Sequence, residues 1–143
     1  MGFSGVSGHG WANDIAQMHE HYGFHDRVEQ LDVSQLREML RFRIDFLQEE
    51  LTETRTAMTS ADPEGVVDGL VDLIVVAIGT LDLYGVDAEL AWERVHRANM
   101  AKTVGVKEGR PNPLGFPDLI KPEGWRAPKH DDNVGALATA FFE

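Results

Sequence analysis

The chain has 143 residues and a net charge of −11, with 24 acids against 13 Lys and Arg. The length favours one domain with a genuine core, and 43% hydrophobic and 26% charged residues is an ordinary balance for a soluble globular protein. The charge disfavours plain nucleic-acid binding, the lack of cysteine removes disulfides, zinc–thiolate sites and thiol catalysis, and no apolar stretch is long enough for a membrane span.

Residues 1–10, with four glycines and two serines, read as a flexible lead-in. They lack the basic region and apolar run of a signal peptide, so a cytoplasmic protein fits best. A short amphipathic helix is predicted from about Trp11 to Tyr22, stopped at Gly23. A long helix is predicted from Ser34, as N-cap, to about Met58. Asp62 as N-cap and Pro63 at the first helical position start the next helix, which should end at Gly85. A fourth helix runs from Asp87 to about Met100. Residues 103–130 hold five of the six prolines and read as an ordered loop or tail, with a short docking helix after it at Val134 to Phe142. No strand alternation longer than a few residues appears, so the fold class is all-α, a helical bundle with short joints.

Two acidic clusters carry the chemistry. At about 100° per residue, Glu49, Glu50 and Glu53 fall in the same arc as Met39, Phe42 and Phe46, one to two turns further on. By itself this cluster reads as the solvated end of a charged face, which is what charge runs usually are. The following helix reads VVDGLVDLIVVAI over 66–78, apolar on all sides and so expected to be buried on most faces. Asp68 and Asp72, four apart on one side, interrupt it. Asp is a poor helix-interior residue, and two unpaired neighbouring carboxylates are costly to bury. The helix offers no Lys or Arg, which makes a divalent cation the sharper explanation. The short 59–62 linker implies an antiparallel hairpin that brings the clusters face to face. Hard oxygen donors suit Mg²⁺ or Mn²⁺, and the lack of Cys or of a His pair on this face argues against zinc.

These residues resemble the all-α nucleoside triphosphate pyrophosphohydrolases, the MazG-type superfamily that includes dimeric dUTPases and phosphoribosyl-ATP pyrophosphohydrolase. The resemblance lies in EELTE at 49–53, VDL at 71–73, VHRANMAK at 95–102 and KPEGWRAP at 121–128, and covers about residues 34–128. It looks most like the MazG-like subgroup of bacteria and phages. It implies a four-helix bundle protomer, a single domain over 1–143 whose residues 103–143 form a tail or flap, and a homo-oligomer, dimer or tetramer. An apolar helix carrying Gly69 and Gly79 suits close helix packing in such an assembly.

The reaction implied is NTP plus water to NMP plus pyrophosphate, with a deoxynucleoside triphosphate as the expected substrate. Two or three Mg²⁺ (or Mn²⁺) ions, held by Glu49, Glu50, Glu53, Asp68 and Asp72, clamp the triphosphate and activate a water that attacks the α-phosphorus. Glu49, Glu50, Glu53 and Asp72 are the catalytic set by this resemblance. The family's second motif has Glu three residues before its Asp; here that position is Gly69, and Asp68 stands beside it. Lys102 is a phosphate contact and Asn99 a nucleotide contact, although a lysine at a helix C-terminus also complements the helix dipole. Lys121, Trp125 and Arg126 lie in a flap, with Lys121 or Arg126 on phosphate.

Trp11, Asn13 and Ile15 are candidates for the base pocket, by stacking and edge recognition, and equally for plain packing of the first helix on the core. His19, His21 and His25 read as surface histidines, His96 as a packing or interface residue, and Met39, Phe42 and Phe46 as core. The base is not legible, with dGTP and dUTP the candidate substrates. The alternative is a non-catalytic helical module that binds nucleotide or a partner protein.

Overall fold

The computed structural model describes residues 10–141; the lead-in at 1–9 and the end of the last helix expected at Phe142 lie outside them. The chain is all-α apart from one two-stranded sheet, with six helices among the described residues. It divides into two compact units. One runs to Ala88 and resumes at Asn133; the other is Glu89–Asp132.

In the first unit, α1 (Trp11–His21) buries Ile15 and His19, four apart on one face. Gly23, in the left-handed region, turns the chain into a six-residue helix, α2 (Phe24–Glu29), that the periodicity was too short to announce. The long helix α3 is Val33–Thr59, and its N-cap is Asp32 where Ser34 was expected. The reason is reciprocal bonding. The Asp32 carboxylate accepts from the Gln35 N–H at 2.8 Å, and the Asp32 N–H donates to Gln35 Oε1 at 2.9 Å. Ser34 has Arg37 three residues on, which carries no acceptor to return the bond.

Asp62 and Pro63 start α4 (Pro63–Leu83) as predicted, with the Asp62 carboxylate accepting from the Gly65 N–H at 3.0 Å. The helix closes at Gly85, φ 72°, with Gly85 N–H donating to Asp82 O and Val86 N–H to Leu81 O. The end of α3 repeats this double bond, Ala61 to Met58 and Asp62 to Ala57, but with an alanine at φ 54° where glycine is the usual occupant.

The α3–α4 pair is an antiparallel hairpin. Contacts on α3 at Arg43, Thr54 and Ala57 meet Thr80, Gly69 and Gly65 in descending order. Gly69 sits directly against Thr54, where any Cβ would overlap the Thr54 hydroxyl, and Gly79 lies against Arg43 and His19. Both glycines thus set close approaches inside the unit. The core gathers Leu36, Tyr84, Val86 and Ala140. The Tyr84 hydroxyl donates to Leu36 O, and α6 (Leu137–Phe141) docks on α3 with Ala140 fully buried. Asp87 and Asn133 exchange two hydrogen bonds of 2.9 Å, joining the points where the chain leaves and rejoins this unit.

Two expectations fail here. Helix α4 is not buried on most faces of the single chain: Val67, Leu70 and Val71 are 64%, 50% and 50% exposed. Phe42 is not core either, at 64% exposed, while Met39 and Phe46 are half-buried. Both follow from the same geometry, since the hairpin, α1 and α6 cover only part of each helix's apolar circumference.

The second unit contains most of α5 (Ala88–Met100) and the segment predicted to be irregular. That segment holds a small antiparallel sheet, β1 (Thr103–Gly105) against β2 (Asp118–Ile120), too short to leave an alternation in the sequence. Asp118 is buried at its base, accepting from the Lys107 N–H at 2.9 Å and from Arg110 at 3.2 Å. Those partners hold its carboxyl below the ordinary value, the Lys107 backbone bond first. Arg94 grips Asp132 with both guanidinium nitrogens, at 2.5 and 2.9 Å.

Candidate functional site

The first acidic cluster sits on α3, one to two turns beyond Phe46 on the same arc of the helix. The second sits on α4, two turns past the Asp62 cap. The antiparallel register that pairs Thr54 with Gly69 brings them to the same height. Glu53, Asp68 and Asp72 line one cleft of about 270 Å³. Glu50 is half-buried beside them, and its Oε2 is covered and has no hydrogen-bond partner. Glu49, Glu53 and Asp68 are exposed and Asp72 is half-buried. None of the five forms an ion pair among the described residues.

The electrostatics follow. Loss of solvent around Glu50, then the negative charges of Glu53, Asp72, Glu49 and Asp68, push its carboxyl above the ordinary value of 4.5. Four acids therefore act on the fifth, and among the described residues no basic side chain pairs with any of them. An all-carboxylate set with an orphaned, covered oxygen fits a hard divalent cation such as Mg²⁺ or Mn²⁺. At position 69 the close approach to Thr54 leaves no room for a side chain. The acid available at this level of α4 is Asp68, which lines the cleft.

In the second unit, Trp125 draws two candidates together. Its ring lies 5.5 Å from Lys102 Nζ and 5.1 Å from Lys121 Nζ, and its indole N–H donates to Ala98 O at 2.8 Å. The Lys-Pro-Glu-Gly-Trp segment is thus docked on the last turn of α5. Asn99 and Arg126 are exposed. Arg126 and Trp125 line a cavity of about 740 Å³ with Arg94, Arg97 and Lys129. On α1, Trp11 and Asn13 are exposed, whereas Ile15 is 6% exposed on the buried face.

The histidines are the main correction. His19 is 2% exposed, not a surface residue, and its Nδ1 lies 2.6 Å from Asp82 Oδ2. His25 Nε2 lies 2.7 Å from the same oxygen. The signal existed in the sequence: Asp82 is a third aspartate in the apolar α4, and His19 falls four residues after Ile15 on one face of α1. His96 is exposed.

No described helix is long and apolar enough to cross a membrane. A family model described as phosphoribosyl-ATP pyrophosphohydrolase matches residues 23–99, over half of the chain and all five acids. No curated protein and no solved structure matches. With the acids facing one another across the hairpin, this match identifies the chain as a member of the phosphoribosyl-ATP pyrophosphohydrolase family, within the MazG-like superfamily of nucleotide pyrophosphohydrolases.

Proposed function

We propose that the chain is a Mg²⁺- or Mn²⁺-dependent pyrophosphohydrolase of deoxynucleoside triphosphates, giving dNMP and pyrophosphate, with dGTP and dUTP as candidate substrates. The observation that carries this reading is Glu50, a half-buried carboxylate with an orphaned oxygen among four other acids. Glu49, Glu50, Glu53, Asp68 and Asp72 would hold two to three ions. Bound ions of this kind offset the triphosphate charge and acidify water. The chain's own contribution is placement: the Thr54–Gly69 contact keeps the two helices close enough for their acids to converge. Asn99, Lys102, Lys121, Trp125 and Arg126 are assigned to phosphate and nucleotide. Trp125 restrains both lysines, which lowers the cost of ordering them on an anion. Trp11 and Asn13, with Ile15 behind them, are the base-pocket candidates. The exposed Val67, Leu70 and Val71 support a homo-oligomer formed through α4.

The test is a product assay with Mg²⁺ over the common NTPs and dNTPs. Pyrophosphate release is expected. Orthophosphate alone, or no turnover on any of them, overturns the proposal.

A further inference from the structure

His19, His25 and Asp82 come from α1, α2 and α4, and each offers one donor atom within 4.8 Å of the others. A rise of about 1.5 Å per residue sets Asp82 about 15 Å along α4 from Asp72, so this cluster is separate from the acidic cleft. His25 is the informative member. Its Nδ1 faces Glu20 Oε2 at 3.2 Å and its Nε2 faces Asp82 Oδ2 at 2.7 Å, so both ring nitrogens point at carboxylates. A neutral imidazole has one donor nitrogen only. With that proton on Nδ1, toward Glu20, the Nε2 lone pair is aimed at an anionic oxygen. His19 Nδ1 approaches the same oxygen from a buried position. In that tautomer a cation between the three groups satisfies all of them.

We propose that His19 Nδ1, His25 Nε2 and the Asp82 carboxylate form a transition-metal site for a zinc-class ion, clasping α1 and α2 to α4. Nitrogen-rich ligation without cysteine suits Zn²⁺, Co²⁺ or Ni²⁺ over Mg²⁺. Glu20 supplies the outer carboxylate that fixes the tautomer of a metal-bound histidine. An ion about 2.0–2.2 Å from each donor in tetrahedral geometry needs the donors about 3.3–3.6 Å apart. The present 2.6 and 2.7 Å separations open to that by small rotations of His25 and Asp82, whose side chains are 32% and 20% exposed. The same exposure leaves the ion an access route and a position for water. Arg43, which like His19 lies against Gly79, is already committed to Thr80 Oγ1 and Val76 O.

The test is calorimetric titration of the full-length chain with Zn²⁺ in excess Mg²⁺, at a pH where free histidine is neutral. One Zn²⁺ is expected to bind, to shift the ring signals of His19 and His25 in the NMR spectrum, and to remain bound in Asp72→Asn. Glu20→Gln should weaken it by about tenfold, and His25→Ala or Asp82→Asn by more. His25 is partly exposed, so His25→Ala carries the test should Asp82→Asn fail to fold. Unchanged Zn²⁺ affinity in His25→Ala, or Zn²⁺ binding lost in Asp72→Asn, overturns the proposal. So does absence of Zn²⁺ binding to the unsubstituted chain, which would make His25 an imidazolium and the cluster a proton clasp.

Discussion

The two units handle charge in opposite ways. Glu89–Asp132 holds 8 of the 13 Lys and Arg but only 7 of the 24 acids, so the remainder of the chain carries 17 acids against 5 basic residues. In the second unit, Asp118 and Asp132 are each met by an arginine, and both carboxyls lie below the ordinary value. In the first unit, Glu50 has no partner and lies above it. A folded protein tolerates unpaired acids where something outside the chain balances them. The contrast is the one the proposed function calls for: carboxylates met by arginine in the second unit, and in the first a carboxylate that a bound cation would balance.

The largest expected effect tests that separation directly. Glu50→Gln and Asp72→Asn should each lower pyrophosphate release by on the order of 10²–10⁴-fold, the scale of a positioned catalytic group, with the helical CD signal retained. Full activity in both variants would place the chemistry elsewhere. Next comes Gly69→Ala. Its Cβ would overlap the Thr54 hydroxyl and lie 3.2 Å from the Thr54 backbone, forcing α3 and α4 apart. Urea titration should show a loss of about 1–3 kcal/mol, and Thr54→Ala should recover part of it.

The pH responses should then differ in sign. Glu50 is raised above 4.5 in the fold, so the folded state holds its proton more tightly than the unfolded state. In EDTA, the melting temperature of the unsubstituted chain should gain on that of Glu50→Gln as pH falls from neutral through the raised value. Mg²⁺ should flatten the difference. Asp118 is lowered from 3.8, so its contribution is complete above that value and lost as pH falls through the lowered one. The advantage of the unsubstituted chain over Asp118→Asn should vanish on acidification. Parallel responses in the two pairs would erase the distinction between the units. The smallest effect is Ala61→Gly, which removes a left-handed alanine and should stabilise the hairpin turn by about 1 kcal/mol in thermal melts.

Much of the α3–α4 hairpin was legible because its signals are local. The Asp62–Pro63 start, the Gly85 stop and the two Asp residues in an apolar helix each need only a few neighbours to be read. The facing of the acids followed from a short linker. Other features depend on partners far along the chain. His19 and Asp82 are 63 residues apart: the spacing of Ile15 and His19 marks one face of α1, but nothing local says which acid of α4 meets the ring. The exposed side of α4 misled for the opposite reason. An apolar surface reads the same whether a single chain or a second copy covers it. The two three-residue strands fall below any periodic signal, and Trp125 was readable as a docked residue but not as the ring between two lysines.

The paired bonds between Asp87 and Asn133 also bear on how this chain can change in length. They close the 45-residue stretch between them at its base. For a closed loop the entropic cost rises only with the logarithm of its length, so even a doubling adds about 0.6 kcal/mol. Added residues in the exposed turn around Pro113 and Leu114 would therefore leave the base sealed. Insertions and reporter peptides are therefore expected to be tolerated there.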